Sequence, residues 1–253
     1  MSRGLNGVPR APSILLEIQP PGLGPCIETC KKLDNEARTP PETMRFRDLV
    51  TLASTLGLLA VAFPAHAEDA QSFIQREHAQ LETILHKPDS PARDAEVNQG
   101  LDSFVDYGEM TRRTFGEPCH PSLPNCEDLW ARLNDAQRQE VSDLLKQLVR
   151  KSYRKNLLKT LDYDISYKGT KDQGGDTRVI TEAQDKSKPH DPPVRVDYIV
   201  KQTDKGFVAV DFVTEGSSLT KNYYTQFRTK MDDPNLGYPN IVAKLREKLA
   251  KKD

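Results

Sequence analysis

The chain has 253 residues, and 36 Lys and Arg against 37 Asp and Glu give it a formal net charge of -1. This length suffices for one generous domain or two small ones. Contacts to a nucleic-acid backbone need a net basic surface or a dominant basic patch, so a general nucleic-acid binder is a poor candidate. Apolar segments recur with clear periods, which argues against disorder along the whole chain.

A secretory signal is predicted at residues 44–67. A basic start is followed by an apolar run over residues 49–63 and by a small-x-small site ending at Ala67. The run is shorter than the roughly 20 residues of a membrane-spanning helix, so a permanent anchor is the weaker interpretation. No Cys stands at the cleavage site to carry a lipid anchor. We therefore predict cleavage after Ala67 and a mature domain of residues 68–253.

The segment upstream of this signal, residues 1–43, is rich in proline. Because a complete signal follows it, we interpret it as an over-extended translation start at Met1. A genuine long leader before the apolar run is the alternative.

Two cysteines of the mature chain, Cys119 and Cys126, bracket a short loop that contains two internal prolines. In an oxidising compartment such a pair predicts a disulfide. A metal site that includes His120 is the alternative, but a second nearby His or Cys pair is missing.

Helical spacing of apolar residues predicts five helices in the mature chain. They cover residues 70–86, 92–107 with a break at Gly108, 135–161 after Asn134 as N-cap, 217–231 and 239–252. The segment 146–159 carries six basic residues and no acid. It is either a solvated face that complements the helix dipole or a basic stripe that meets anionic headgroups or a partner.

Alternating apolar residues predict four strands, at residues 161–168, 177–184, 194–202 and 206–215. The short linker 203–206 marks a hairpin, so the sheet is antiparallel. In the first strand, Tyr163, Ile165 and Tyr167 share a face. In the last, residues 208, 210 and 212 alternate against 207, 209 and 213. Helices before and after a run of strands indicate an α+β fold with helices on one side of a curved sheet.

Motifs of catalysis are missing from the sequence: it has no GxGxxG, GxxxxGK[ST], HExxH or GxSxG. Asp197 and Asp211 stand on strands beside apolar residues, where each could serve as a general base or lie on the outer face of the sheet. The remaining histidines, His78, His86 and His190, are isolated and read as surface residues. An enzyme is therefore the minority interpretation, and no cofactor or metal is expected.

Four segments carry a resemblance to a known family: residues 107–117, 129–157, 206–231 and 241–249. In their order and spacing they resemble the MlaC-like family, the toluene-tolerance type of periplasmic phospholipid-binding proteins. The segment 206–231 resembles that family's C-terminal strand and helix, with an Asp near the strand end and Glu-Gly-x-Ser before the helix. The insertion at residues 118–126 departs from the family pattern.

The resemblance implies a sheet like the NTF2-like cone and a deep pocket that holds the acyl chains of a phospholipid cargo. It also implies a soluble periplasmic shuttle between an outer-membrane lipoprotein complex and an inner-membrane ABC transporter with a lipid-binding subunit, which maintains outer-membrane lipid asymmetry. A monomer is expected. An NTF2-like hydrolase or isomerase and a structural adaptor without a cavity are the alternatives.

Aromatic and aliphatic side chains on elements that face the sheet form either a filled core or the wall of an apolar cavity. The candidate lipid-lining residues are Phe104, Tyr107, Met110, Phe115, Leu144, Leu148, Tyr153, Leu157, Ile165, Val179, Tyr198, Val208, Val210, Phe212, Leu219, Tyr223 and Phe227. About half are expected to belong to the core, because the sequence does not decide which strand face points inward. Ser217 and Ser218 cap the following helix or contact a headgroup, and capping is the stronger expectation.

Overall fold

The computed structural model describes residues 68–251. The predicted extension at residues 1–43 and the predicted signal at 44–67 lie outside the described residues. The elements of the described part are α1 (Ala70–Leu85), α2 (Pro91–Phe104), α3 (Tyr107–Thr114), a 3-10 turn (Trp130–Arg132), α4 (Asp135–Thr160), β1 (Tyr163–Gln173), β2 (Asp176–Asp185), β3 (Val194–Thr203), β4 (Gly206–Thr214), β5 (Ser217–Ser218), α5 (Leu219–Asp232) and α6 (Gly237–Ala250).

The strands form one antiparallel sheet in the order β1-β2-β3-β4-β5. This confirms the α+β fold and the predicted hairpin between β3 and β4. The polar, glycine-bearing residues 168–176 are typical of a turn, but strand β1 continues to Gln173 and the turn itself is confined to Gly174 and Gly175. Both glycines have positive φ, a conformation that costs other residues free energy. The two-residue strand β5 was not predicted.

Side-chain caps fix where the long helices begin. The carboxylate of Asp69 accepts from the backbone N–H of Ser72 at the start of α1. The predicted N-cap Asn134 is confirmed: it forms a reciprocal capping box with Gln137, which satisfies two backbone donors at the start of α4. The capping role predicted for Ser218 is also confirmed, since its hydroxyl accepts from the N–H of Lys221 at the start of α5.

The predicted break at Gly108 is wrong. Helix α2 ends at Phe104, and Val105 pairs with Ala209 at the edge of β4, where the Asp106 N–H donates to the Ala209 carbonyl at 3.0 Å. Asp106 then caps α3, which contains Gly108 in its first turn. The strand edge and the Asp cap therefore divide the two helices, and the glycine is tolerated inside the second.

The predicted alternation along β4 is interrupted by a β-bulge. Ile199 pairs with Asp211, but the next residue, Val200, pairs with Ala209, so Val210 is the extra residue. Bulges place two successive residues on one side of the strand. Ala209 and Phe212 therefore face the main core, whereas Val208 and Val210 pack with Ile199 and Val213 on the opposite face.

The predicted disulfide is confirmed between Cys119 and Cys126, with an S–S distance of 2.09 Å. The alternative metal site is wrong, since the disulfide consumes both thiols. One face of α5 holds this loop: Lys221 Nζ donates to Ser122 at 2.8 Å and Arg228 donates to the Asn125 carbonyl at 2.7 Å.

The residues that follow the disulfide loop pack closely against the residues that precede it. Gly116 has φ +83°, and a Cβ there would stand 2.3 Å from the carbonyl oxygen of Glu127. The backbone N–H of Glu127 in turn donates to the Tyr224 hydroxyl at 2.7 Å. A glycine is therefore required where the loop returns to the core.

Four of the six basic residues of segment 146–159 are paired within the molecule, among them Lys146 with Asp102 at 3.6 Å. Arg150 forms an ion pair with Asp102, and Arg154 with Asp94, both on α2. Lys151 Nζ donates to the carbonyls of Leu249 and Lys251 at the end of α6. These contacts favour the structural interpretation of the segment. Within residues 68–251, no helix combines the length and the apolar character needed to cross a membrane.

Candidate functional site

An apolar cavity of about 390 Å³ lies between α1, α4 and the inner face of β1–β3, with Phe104 of α2 in its wall. Its volume falls in the lower part of the range of about 300–1,000 Å³ that small-molecule sites occupy. The apolar and aromatic lining residues are Ala79, Leu81, Leu85, Phe104, Tyr153, Leu157, Leu161, Tyr163, Ile165, Tyr167, Ala183, Val196 and Tyr198. Alternation along the strands explains this lining, because every second residue points to the same face.

Five of the residues predicted from the sequence line this cavity: Phe104, Tyr153, Leu157, Ile165 and Tyr198. Phe212 supports three of them, with its ring centroid 4.7 Å from that of Tyr153, 5.7 Å from Tyr198 and 6.2 Å from Phe104. The structure thus brings together six candidates from α2, α4, β1, β3 and β4. Their contact with a lipid stays a prediction.

The other eleven candidates lie elsewhere. Tyr107, Met110, Leu219 and Tyr223 border a separate gap of about 10 Å³, which is too small for an acyl chain. Phe115 and Phe227 pack with ring centroids 4.9 Å apart. Leu144, Leu148 and Val179 are core residues, and Val208 and Val210 lie on the far side of the sheet because of the bulge.

None of the α1 residues in the wall, which include His78, Leu81 and Leu85, was among the candidates from the sequence. The signal existed, since the apolar stripe of α1 must face the sheet. Tyr163 and Tyr167 were not among the candidates either, although the predicted alternation placed both on the face of Ile165.

The interpretation of His78 as a surface residue is wrong. Its Nδ1 lies 2.7 Å from the Tyr167 hydroxyl and its Nε2 lies 2.9 Å from the Tyr198 hydroxyl. Burial lowers the pKa of His78 to about 4, so the imidazole is neutral near pH 7. We call this group, which lies in the cavity wall, the His-Tyr-Tyr cluster. His78 is a single polar residue on an amphipathic helix, so the sequence gives no indication that it bonds to two tyrosines.

Charged residues of the cavity wall lie on its open side. Glu82, Asp164 and Lys186 line the cavity and are all exposed. Lys186 Nζ donates to the Leu161 carbonyl at 2.9 Å and lies 3.8 Å from a carboxylate oxygen of Asp164. The interior of the cavity is therefore neutral, and the charges surround its entrance.

Asp197, one candidate general base, does not line the cavity. It is fully buried and forms ion pairs with Arg178 and Arg195, whose Nε atoms lie 2.7 and 3.1 Å from its carboxylate. A carboxylate held by two guanidinium groups is committed to its partners and is poorly suited to accept a substrate proton.

Asp211, the other candidate, also lies outside the cavity wall. Its carboxylate accepts from the Ser218 hydroxyl at 2.6 Å and from the Thr220 N–H at 2.9 Å. Burial raises the pKa of Asp211. These bonds tie β4 to the start of α5. Among residues 68–251, no three His, Cys, Asp or Glu side chains come together in a way that could hold a metal.

Comparison with known proteins gives two findings. The family model of the MlaC protein matches residues 75–247. A solved structure of a phospholipid-binding protein from Ralstonia solanacearum, in complex with a phospholipid, is similar with a TM-score of 0.58 and 22% identity; the match covers 72% of this chain and 98% of that one. At this identity the likeness concerns the fold. No curated protein matches the chain. Because the family model spans more than half of its residues, the chain belongs to the MlaC family.

Proposed function

We propose that this protein is a phospholipid carrier that encloses acyl chain in the cavity between α1, α4 and β1–β3. The observation that carries the proposal is the apolar cavity of about 390 Å³ with its charges confined to the entrance. Membership of the MlaC family supports it, and so does the bound phospholipid of the structurally similar protein.

The physical advantage of such a carrier comes from the acyl chain. Burying hydrocarbon gains about 0.8 kcal/mol per CH₂, so a chain of about 16 carbons gains on the order of 12 kcal/mol relative to water. Free lipid therefore crosses an aqueous compartment slowly, and enclosure removes the exposed hydrocarbon. Since no covalent step is required, the role needs no catalytic residue, cofactor or metal.

The proposed setting is the periplasm, reached through the signal at residues 44–67. There the protein would shuttle lipid, as a monomer, between an outer-membrane lipoprotein complex and an inner-membrane ABC transporter with a lipid-binding subunit, and so maintain outer-membrane lipid asymmetry. A site that holds acyl chain tightly releases it only when a partner favours the empty state. Docking is therefore the step at which release is expected.

Native mass spectrometry of the chain exported from residue 44 and purified from the periplasm tests the proposal. We expect complexes heavier than the protein by the mass of a phospholipid, and phospholipid in an organic extract of the same sample. Protein that emerges empty, and stays empty after incubation with vesicles of phosphatidylethanolamine and phosphatidylglycerol, would contradict the carrier function.

A further inference from the structure

Two polar side chains on the α4 wall of the cavity lack partners. Tyr153 is 8% exposed and Asn156 is 5% exposed, and both line the cavity. They are three residues apart, so they lie on one face of the helix. Asn156 Oδ1 is buried without a hydrogen bond. The two donors of this pair, Asn156 Nδ2 and the Tyr153 hydroxyl, make no hydrogen bond to another described residue and belong to residues that line the cavity. A donor in an apolar wall gains free energy when it meets an acceptor, so both are available to a ligand.

The His-Tyr-Tyr cluster, on α1, β1 and β3, also has one hydrogen-bond donor that its own contacts leave free. A neutral imidazole has one donor and one acceptor, and each phenol has one donor. Two hydrogen bonds join His78 to Tyr167 and Tyr198. Whichever tautomer the imidazole adopts, these two bonds use two of the three protons. One phenolic O–H therefore stays available to the cavity.

Two threonine hydroxyls of the same wall are already used. Thr160 donates to the Leu157 carbonyl at 2.6 Å, and Thr181 donates to the Val196 carbonyl. Unused hydrogen-bonding capacity therefore lies on Tyr153, Asn156 and the His-Tyr-Tyr cluster, and also on Gln75, which is exposed, and Tyr163, which is partly exposed.

The donors of these groups, Asn156 Nδ2 and the tyrosine hydroxyls, suit an uncharged acceptor, whereas Asn156 Oδ1 can only accept. An enclosed phosphate or carboxylate would need a cation beside it, since burial of an unpaired charge is costly. Lys186, the cation of the wall, is exposed at the entrance and already donates to a carbonyl. A neutral donor in an apolar wall can instead form a hydrogen bond with an uncharged carbonyl oxygen.

We propose that Tyr153, Asn156 and the His-Tyr-Tyr cluster bind the carboxylic ester carbonyls of the cargo lipid. The inference rests on the proposed carrier function and adds a chemical class to it: the cavity selects acyl-ester lipids over lipids whose chains are ether-linked. The phosphate of the bound lipid then lies towards the charged entrance.

A competition between two lipids that differ only in this linkage tests the proposal. The purified protein is incubated with vesicles that contain equal amounts of diacyl phosphatidylcholine and dialkyl-ether phosphatidylcholine of the same chain length, and native mass spectrometry separates the two complexes. We expect the ester complex to exceed the ether complex about threefold to tenfold, as the loss of about one neutral hydrogen bond implies. Because both lipids compete for the same folded molecules, the ratio does not depend on the fraction folded.

Two variants identify the residues responsible. Asn156→Leu and Tyr153→Phe keep the volume of the side chain and remove its hydrogen-bonding group, so each should lower the ester-to-ether ratio towards one. Tyr107→Phe, which removes a buried hydroxyl outside this cavity, is the matched control and should keep the wild-type ratio.

The outcomes separate this inference from the function on which it rests. Equal binding of the two lipids by the wild type, the result expected if water alone occupies these groups, overturns the ester selection and leaves the carrier function standing. An unchanged ratio in both variants also overturns it. Binding of neither lipid overturns the carrier function and the inference together.

Discussion

The carboxylate of Asp211 and the hydroxyl of Ser218 lie 2.6 Å apart and join the end of β4 to the first turn of α5. Asp211 is 2% exposed and Ser218 is 6% exposed. The same hydroxyl accepts from the Lys221 N–H, so one serine serves both the strand and the helix. The Asp and the Ser of the family-like segment 206–231 thus have a structural role in this chain.

Replacement of either partner should destabilise the protein without emptying the cavity. Ser218→Ala leaves a buried carboxylate short of one donor and removes the helix cap, so the free energy of unfolding should fall by about 1–3 kcal/mol. Urea unfolding measures the loss, and bound lipid per folded protein should stay at the wild-type level. The neighbouring, partly exposed Ser217→Ala is the control, and an equal loss in both variants would contradict this role for Ser218.

Protonation of His78 should weaken the fold as the pH falls. Its folded pKa of about 4 lies below the ordinary histidine pKa of 6.5, so between these values the unfolded chain binds a proton that the folded chain does not. The stability contribution is complete above pH 6.5 and is lost as the pH falls towards 4, by at most about 3 kcal/mol. Urea unfolding across this window measures it.

The comparison with His78→Gln isolates this group from the other titrating side chains. Glutamine keeps polar atoms near Tyr167 and Tyr198 but does not titrate in this range. The variant should therefore lose less stability than the wild type between pH 6.5 and 4. Parallel stability profiles of the two proteins would show that His78 is not the group responsible.

The disulfide should stabilise the fold without affecting the cargo. Cys119 and Cys126 are seven positions apart, and closing so short a loop in the unfolded chain contributes about 2 kcal/mol. The double variant Cys119→Ser, Cys126→Ser should lose that amount in urea, and reduction of the wild type should reproduce the loss. No residue of this loop is among the described cavity-lining residues, so the bound lipid should not change. A reduced protein of unchanged stability would contradict the prediction.

Filling the cavity should displace lipid. Ala183 of β2 lines the cavity, so the ring of Ala183→Phe would occupy hydrocarbon space. Displacement of about two methylenes costs about 1.6 kcal/mol, an affinity loss of roughly tenfold. Titration with a fluorescent phospholipid measures it. Ala136→Phe, at an exposed position of α4, is the control. An equal affinity of both variants and the wild type would exclude this cavity as the lipid site.

Regular periodicity made much of this structure predictable. The alternation of Tyr163, Ile165 and Tyr167 predicted a shared face, and all three line the cavity. The cap at Asn134 was predictable because its side chain and that of Gln137 act locally, within one turn of helix. The order of four segments along the chain indicated the family, and the family match over residues 75–247 confirms this prediction.

Features set by contacts between distant segments were not predictable. The bulge at Val210 depends on pairing with β3, so alternation alone grouped Val208 and Val210 with Phe212, which faces the main core. His78 meets Tyr167 and Tyr198 from 89 and 120 positions away, and neither distance leaves a pattern in the sequence. Whether an aromatic residue fills a core or borders a cavity likewise depends on how the layers pack.

The position of the hydrocarbon in a complex tests the central claim most directly. The protein would be crystallised with a phosphatidylcholine whose acyl chains carry bromine near their ends, and anomalous scattering would locate the bromine. We predict bromine between α1, α4 and β1–β3, within van der Waals distance of Leu81, Leu157 and Ile165. Bromine found only on the outer face of the sheet or at the protein surface would contradict the enclosed-chain account.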